Sequence, residues 1–305
     1  MVLKPPASPE SVFHHTNAHG LIGIIQSDRL WATEASSLND HAEMLQGWRF
    51  TEEWLESRPH DPIHDAMRSI AASVDENSAQ REIYVLAASS RRDDASQWRL
   101  YGDSGCGYSV ELDTATRFHV VSQLEDQPAS NRSRSMWTQF VEVSRWTEVI
   151  YQATEKEALL ESIAKDHKEQ MVRLSNLPAV DSDEAWESFQ DDLYIALHEA
   201  VARFKEPGFA GEHERRIICK RIWSHNLTRH RATGYGVAPY LELGTHENAT
   251  VDQGVISSGV AGKLPIRSIT LGPLLRESNV GAVRSLLSAH GYTKVEIERS
   301  DLPLR

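Results

Sequence analysis

Apolar positions follow two different spacings along the chain. Short runs rich in β-branched and aromatic residues, such as 82–90 and 107–113, predict strands. Between about 155 and 205, apolar residues recur at helical spacing in two segments separated by a polar loop that contains proline. Further strands are predicted after 210 and near the end of the chain. This order of strands, helices and strands predicts an α+β fold around a split, mostly antiparallel sheet with a helical insertion or lid.

The opening segment, "SVFHHTNAHGLIGIIQSDRLWAT" at 11–33, contains three predicted elements. A strand over "VFHHT" leads into a helix from Asn17 to Gln26, which Thr16 or Asn17 can cap, and then into a short strand "LWAT". The preceding residues, 1–10, hold three prolines and are expected to form a flexible arm. The length and apolar content predict one large domain or two closely packed lobes, and 11–305 is expected to be a single catalytic-type domain with the insertion at about 155–205.

Composition and charge restrict the function classes. The 44 acidic against 32 basic residues give a formal charge of −12, which disfavours a broad electrostatic contact with duplex nucleic acid. The two cysteines, Cys106 and Cys219, are far apart and have no zinc-finger spacing, so neither a disulfide framework nor a structural zinc site is indicated. No signal core and no run of about 18 apolar residues occurs. A cytoplasmic protein without a membrane association is therefore expected.

Three charged residues form an unusual group in "GFAGEHERRIIC". If this segment is a strand, Glu212, Glu214 and Arg216 share one face, because side chains alternate along a strand. One interpretation is a solvated edge strand with cross-strand ion pairs. The other is a pair of carboxylates at a cleft, held by Arg216, in which a glutamate handles a proton or stabilises a cationic transition state.

An aromatic pair lies in "SQWRLYGDSGCG". On a helical turn, Trp98 and Tyr101 are three residues apart and lie on one face. Such a pair serves core packing in most proteins. The alternative is an aromatic wall for a ring-shaped ligand, next to a glycine-containing turn that allows close approach of the backbone.

Metal and nucleotide motifs give no further signal. Asp40, His41 and Glu43 cluster locally, and His213 lies between two glutamates, but no spacing matches a known metal motif, and we expect no metal site. The GxGxxG, P-loop and GxSxG patterns do not occur in the sequence.

The ordered set of motifs resembles a known family. "FHHT", "LIGII", "LWAT", "LNDHAE", "SQWRLYGDSGCGYSVELD", "GEHERRI", "LPIRSITLGPLL" and "SDLPLR" follow one another in the order found in the bacterial family named domain of unknown function 2971. The resemblance extends from about Val12 to Arg305. The N-terminal block is more distantly similar to ADP-ribosyltransferase-like proteins, in which a first-strand histidine or arginine, an aromatic motif and a later glutamate surround NAD.

The second resemblance implies roles for individual residues in binding NAD. His14 would bind a ribose hydroxyl, and Thr16 joins it as a cofactor-binding candidate. Tyr101, with help from Trp98, would stack on nicotinamide. His15 would face the other side of the strand, because neighbouring side chains alternate.

The resemblance also implies roles for the charged residues. Glu214 would accept a hydrogen bond from the nicotinamide ribose and stabilise the positive charge that develops as nicotinamide leaves. Glu212 would orient the acceptor or act as its base, and Arg216 would bind a phosphate or hold a glutamate in place. Within "LNDHAE", the candidates Asn39, Asp40 and Glu43 either contact the acceptor or cap a helix.

Three functions follow as hypotheses. The first is an NAD-dependent ADP-ribosyltransferase that modifies a nucleic acid or a protein, as a toxin or antiphage effector with an antitoxin or immunity partner. The second is an NAD glycohydrolase that uses the same residues with water as the acceptor. The third is a binding module for nucleotides or nucleic acid that has no turnover, because a shared fold does not establish a shared function.

Overall fold

A computed structural model describes residues 11–38, 43–74, 83–122, 140–175, 182–223, 227–234, 236–246, 255–257 and 261–303. The arm predicted over 1–10 lies outside these residues. The chain divides into two compact units. Unit 1 comprises Met1–Thr33, Tyr84–Glu148 and Gly211–Arg305, and unit 2 comprises Glu34–Ile83 and Val149–Ala210.

Unit 1 is built on one large sheet. Its strands, in chain order, are β1 (Ser11–Thr16), β2 (Leu30–Glu34), β3 (Ile83–Ser89), β4 (Tyr108–Asp113), β5 (His119–Ser122), β6 (Phe140–Val143), β7 (Thr147–Glu148), β8 (Glu214–Trp223), β9 (Arg229–Thr233), β10 (Gly236–His246), β11 (Val255–Ser257), β12 (Ala261–Gly262), β13 (Ile266–Leu271) and β14 (Glu296–Arg299). The main path runs β11-β5-β10-β2-β3-β1-β4-β13-β14. Strand β8 also pairs with β3, so the sheet branches at β3, and β6 and β7 continue that branch from β8.

Most strand pairs in this sheet are antiparallel. Strand β1 pairs with β4 in register from Ser11 opposite Asp113 to Thr16 opposite Tyr108. The pairs β11–β5 and β13–β14 are parallel. The mixed α and β composition and the mostly antiparallel sheet predicted from the sequence are therefore confirmed.

Among its described residues, unit 1 contains the helices α1 (Ala18–Ser27), α4 (Ala95–Leu100) and α7 (Ser278–Ala289). Asn17, rather than Thr16, caps α1, because its side-chain oxygen accepts a hydrogen bond from the Gly20 amide at 2.8 Å. The apolar side of α1, with Leu21 and Ile25 fully buried, joins a core that includes Val12, Leu30, Leu86, Val110, Leu241 and Ile269. Burial of this apolar surface is the main force that holds the helices on the sheet.

Unit 2 is helical. It contains α2 (Glu43–Glu56), α3 (Pro62–Ser73), α5 (Ala153–Leu174) and α6 (Ser182–Val201). The helices expected between 155 and 205 are thus present as α5 and α6, and they pack with α2 and α3 from an earlier part of the chain. The proposed role of these helices as a lid stays a prediction.

Helix α3 was not predicted, although its start carries a clear signal. Asp61 caps the helix by accepting a hydrogen bond from the His64 amide, and Pro62 occupies the first turn. Proline is compatible with this position because the first helical amides have no partner within the helix. In the described residues, no helix is both long enough and apolar enough to cross a membrane.

Candidate functional site

Glu214 and Arg216 form an ion pair with two hydrogen bonds at the start of β8. The two residues are at adjacent same-face positions of the strand, as predicted. Arg216 Nε donates to Glu214 Oε1 at 2.7 Å, and Arg216 Nη2 donates to Glu214 Oε2 at 3.0 Å. Both residues are buried, with 9% of Glu214 and 2% of Arg216 exposed. Arg216 thus contacts the glutamate next to it on the strand face, and its alternative role in binding a phosphate stays a prediction.

Glu212 does not share the strand face of Glu214, and this expectation was wrong. Strand β8 begins at Glu214, whereas Glu212 ends a 3-10 helix over Pro207–Glu212. Between them, His213 adopts a left-handed backbone conformation with φ of 48°. Such a residue interrupts the extended backbone, so the alternation of side chains does not continue from β8 back to Glu212.

The backbone around Glu212 is attached to the end of β3. Ser89 Oγ donates to the Glu212 carbonyl at 2.9 Å, and Gln97 Nε2 donates to the same oxygen at 3.2 Å. The Ser90 amide donates to the His213 carbonyl at 2.8 Å. These bonds between buried groups fix the position from which the Glu212 side chain extends.

Tyr101 is the aromatic residue that contacts a candidate glutamate. Its hydroxyl donates a long hydrogen bond, 3.5 Å, to Glu212 Oε1. Tyr101 follows the last residue of α4 and is 38% exposed, whereas Glu212 is 8% exposed. The tyrosine ring therefore has solvent-accessible surface beside a buried carboxylate.

Trp98 does not form an aromatic wall with Tyr101, which corrects the predicted role of Trp98 in ligand binding. It is completely buried. Its Nε1 donates to Asp93 Oδ1 at 2.6 Å, and its ring packs edge-on against His15 with centroids 4.7 Å apart. The interpretation as core packing applies to Trp98, because a residue without exposed surface cannot stack on a ligand.

The two adjacent histidines have different surroundings. His14 is partly buried, and its Nδ1 donates to the Ala87 carbonyl on β3 at 2.8 Å. Burial lowers the pKa of His14, and the positive charge of Arg231 lowers it further. His15 is buried against Trp98, and burial together with the neighbouring His14 lowers the pKa of His15 to about 4. Both imidazoles are therefore neutral at pH 7.

Strand β3 brings His14 and Glu212 into the same region. His14 is bonded to Ala87, and the Glu212 backbone is bonded to Ser89, two residues further along β3. Two residues of a strand span about 7 Å. The His14 ring and the Glu212 backbone are therefore both bonded to the last three residues of β3, and Tyr101 contacts the Glu212 side chain, which Glu214 follows in the chain.

The remaining predicted residues are outside this group. Thr16 ends β1 opposite Tyr108, and no described contact links it to the grouped residues. Asn39 and Asp40 lie outside the described residues. Glu43 begins α2 in unit 2, where Lys205 Nζ is 3.5 Å from its Oε2. No group of three metal-binding side chains is present in the part of the chain that the structure describes.

Ser89 and Gln97 are the site residues that the sequence analysis missed. Gln97 has one detectable signal: it precedes Trp98 in a short helix, and Tyr101 follows it by one helical turn. Ser89 ends an apolar strand, a position where a serine has no distinctive pattern. Their role depends on the 3-10 turn at Glu212, which is far away in sequence.

The stretch of the chain that matches a known family contains most of these residues. Residues 97–217 match the model of a family described as "Protein of unknown function (DUF2971)". The match supports the DUF2971 resemblance over this stretch. It contains Gln97, Tyr101, Glu212, Glu214 and Arg216, whereas His14 lies before it. The DUF2971 description names no activity, and no curated protein and no solved structure matches the chain.

Proposed function

We propose that the protein is an NAD-dependent ADP-ribosyltransferase that uses His14, Tyr101 and Glu212. The proposal rests on one observation: a histidine ring and the backbone of a buried glutamate are both bonded to the end of β3, and a partly exposed tyrosine contacts that glutamate. These are the residue types that the ADP-ribosyltransferase resemblance assigns to ribose binding, nicotinamide stacking and charge stabilisation. The acceptor is a nucleic acid or a protein.

The hydrogen bond of His14 suits a ribose-binding role. A carbonyl oxygen only accepts hydrogen bonds, so Nδ1 carries the proton of the imidazole. Because the pKa of His14 is lowered, Nε2 is unprotonated at neutral pH and can accept a hydrogen bond. A ribose hydroxyl of NAD is a suitable donor for this nitrogen.

Glu212 is the better candidate for charge stabilisation than Glu214. The Glu214 carboxylate is neutralised by two hydrogen bonds from one guanidinium, which occupies both of its oxygens. Glu212 Oε1 instead contacts the hydroxyl of Tyr101, a residue that is itself accessible to a ligand. In this proposal, Glu214 and Arg216 hold the start of β8 in place, and Glu212 faces the substrate.

The chemistry requires a fixed negative charge and an aromatic surface. When the bond between the nicotinamide nitrogen and the ribose carbon breaks, its electron pair leaves with neutral nicotinamide, and the ribose becomes cationic. A preorganised carboxylate stabilises this cation, and a tyrosine ring can stack on the departing nicotinamide. The acceptor then forms a bond to the ribose carbon and loses a proton, for which Glu212 is a suitable base.

The proposal is tested with isotope-labelled NAD and cell extract. We expect release of nicotinamide and transfer of label to a macromolecule. Loss of a charge-stabilising group costs about 10²–10³ in rate, so Glu212→Gln should reduce release by that factor. Glu296→Gln, on an exposed position of β14, is the matched control and should leave release unchanged.

Each outcome has a defined meaning. Label found only in free ADP-ribose would replace transfer by NAD hydrolysis. Absence of nicotinamide release with every extract fraction would reject both activities and leave the binding module. If Glu214→Gln abolishes release while Glu212→Gln retains it, the assignment of the two glutamates is reversed.

A further inference from the structure

An exposed tryptophan lies on a sheet face formed by β2, β10 and β9. Trp31 of β2 is 41% exposed, and its ring centroid is 4.6 Å from that of Tyr240 on β10, at an interplanar angle of 38°. Tyr240 is opposite Thr33 on β2 and opposite Arg229 on β9. Side chains of paired residues extend to the same face of a sheet. Trp31, Tyr240 and Arg231 thus form one surface, which we name the Trp31 surface.

Arg231 places a positive charge on the Trp31 surface. Its guanidinium carbon is 5.5 Å from the Trp31 ring centroid, and its Nη2 donates to Thr33 Oγ1 at 2.9 Å. Among the described residues, its buried Nε has no hydrogen-bond partner and no carboxylate lies within ion-pair distance. Arg229, by contrast, lies 3.4 Å from Glu242. The charge of Arg231 is therefore not compensated by a carboxylate among the described residues.

Phe209 provides a comparison for this arrangement. It is 40% exposed, and Lys205 Nζ is 5.1 Å from its ring centroid. However, Lys205 is paired with Glu43 at 3.5 Å, so its charge is compensated within unit 2. An exposed ring combined with a cation that lacks a carboxylate thus distinguishes the Trp31 surface from the surroundings of Phe209.

We propose that the Trp31 surface binds a nucleotide of a single-stranded nucleic acid, with the base stacked on Trp31 and a phosphate bound by Arg231. An aromatic ring stacks on the face of any base, and a guanidinium binds phosphate oxygens. In a duplex, base faces are covered by neighbouring bases, so only an unpaired base can stack in this way. The net charge of −12 further disfavours a duplex, which presents a dense array of phosphates.

The position of β9 beside β10 favours a strand over a free nucleotide. β10 is the strand partner of β9 among the described residues, and β9 carries Arg229, His230 and Arg231 in sequence. The neighbouring nucleotide of a strand can reach Arg229, which shares the face of Arg231 and is paired with Glu242, whereas a mononucleotide cannot; His230 lies on the opposite face.

Binding is measured by fluorescence anisotropy with a labelled, unstructured oligodeoxythymidine at low salt. We expect binding that weakens as salt is raised. Loss of one base–aromatic contact should weaken affinity about tenfold or more in Trp31→Ala, whereas Trp31→Phe retains part of the stacking. Arg231→Met should weaken affinity and reduce the salt dependence. Phe209→Ala is the matched control and should bind as the wild type does.

The result is independent of the NAD chemistry. Equal affinity for a mononucleotide or for a duplex of the same length would overturn the proposal, as would unchanged affinity in Trp31→Ala. If the oligonucleotide binds while no nicotinamide is released, the surface stands and the transferase proposal fails. If nicotinamide is released and no oligonucleotide binds, the transferase proposal stands and the surface fails.

Discussion

Arg216 donates two hydrogen bonds to Glu214 from the next same-face position of strand β8. Both side chains are buried, so removal of one partner leaves a desolvated charge. We expect Arg216→Met to lower the free energy of unfolding by about 3–5 kcal/mol, measured by urea denaturation. The double variant Glu214→Gln, Arg216→Met should be more stable than Arg216→Met alone, because it leaves no unpaired carboxylate. A single variant with wild-type stability would contradict this account of the pair.

Gly107 and Gly281 should respond in opposite ways to alanine. A Cβ at Gly107 would be 2.4 Å from the Thr16 carbonyl oxygen and 2.7 Å from the Gly102 backbone. Gly107→Ala should therefore lower the free energy of unfolding by about 1–3 kcal/mol. Gly281 lies within helix α7, and a Cβ added there would extend into open space. Gly281→Ala should raise stability by about 0.5–1 kcal/mol in the same urea titration.

Substitutions of Trp98 and Tyr101 should affect different properties: the first should lower stability, and the second should lower activity. Trp98 is completely buried and bonded to Asp93, so Trp98→Ala should lower the free energy of unfolding by about 3–5 kcal/mol. Tyr101 is partly exposed, so Tyr101→Ala should change stability by about 0.5 kcal/mol or less. In the nicotinamide-release assay, Tyr101→Ala should reduce the rate of nicotinamide release. A large loss of stability in Tyr101→Ala would show that its role is packing.

Glu43 should be essential for the stability of unit 2. It forms a buried ion pair with Lys205, and Lys156 is also buried, with its Nζ 5.2 Å from the Phe50 ring and 5.7 Å from the Phe204 ring. Burial lowers the pKa of Lys156, whereas the negative charges of Glu206 and Glu43 raise it. Glu43→Gln should lower the free energy of unfolding by about 3–5 kcal/mol. Lys156→Met should be close to neutral, because it removes a desolvated charge.

Stability should fall in mild acid because His15 resists protonation. The pKa of His15 is lowered from 6.5 to about 4, so below pH 6.5 the unfolded chain binds a proton that the folded chain does not. The contribution of His15 is complete above pH 6.5 and is lost as pH falls toward 4. His15 alone should reduce the free energy of unfolding by about 2 kcal/mol between roughly pH 7.5 and pH 5. His15→Phe, which retains the ring contact with Trp98, should show a correspondingly smaller loss in urea denaturation at these two pH values.

Local patterns in the sequence were sufficient for most of the main elements. Strands β1, β3, β4 and β13 are rich in β-branched and aromatic residues, and α5 and α6 follow helical spacing, so each is specified by its own residues. Short strands such as β7 and β12, with two residues each, depend on pairing with distant partners and have no local signal. The branch of the sheet at β3 also depends on pairing between strands that are distant in sequence, so no local pattern predicts it.

The arrangement of the site residues was predictable only for residues that are close together in the sequence. The same-face pairing of Glu214 and Arg216 follows from strand alternation. The position of Glu212 depends on the left-handed conformation of His213, which is uncommon for residues other than glycine and which no local pattern here predicts. The burial of Trp98 depends on Asp93, which also accepts hydrogen bonds from Ser300 Oγ and the Asp301 amide.

These contacts of Asp93 join parts of the chain about two hundred residues apart. The pairing of strand β4 is also long-range, and it affects how the chain folds during synthesis. Strand β4 is complete early in synthesis, but one of its two edges stays unpaired until β13 has been synthesised. Long-range pairing of this kind slows folding, and an open strand edge promotes aggregation while it persists. The β4 edge of a nascent chain is therefore open to pairing with other chains until the last strands emerge.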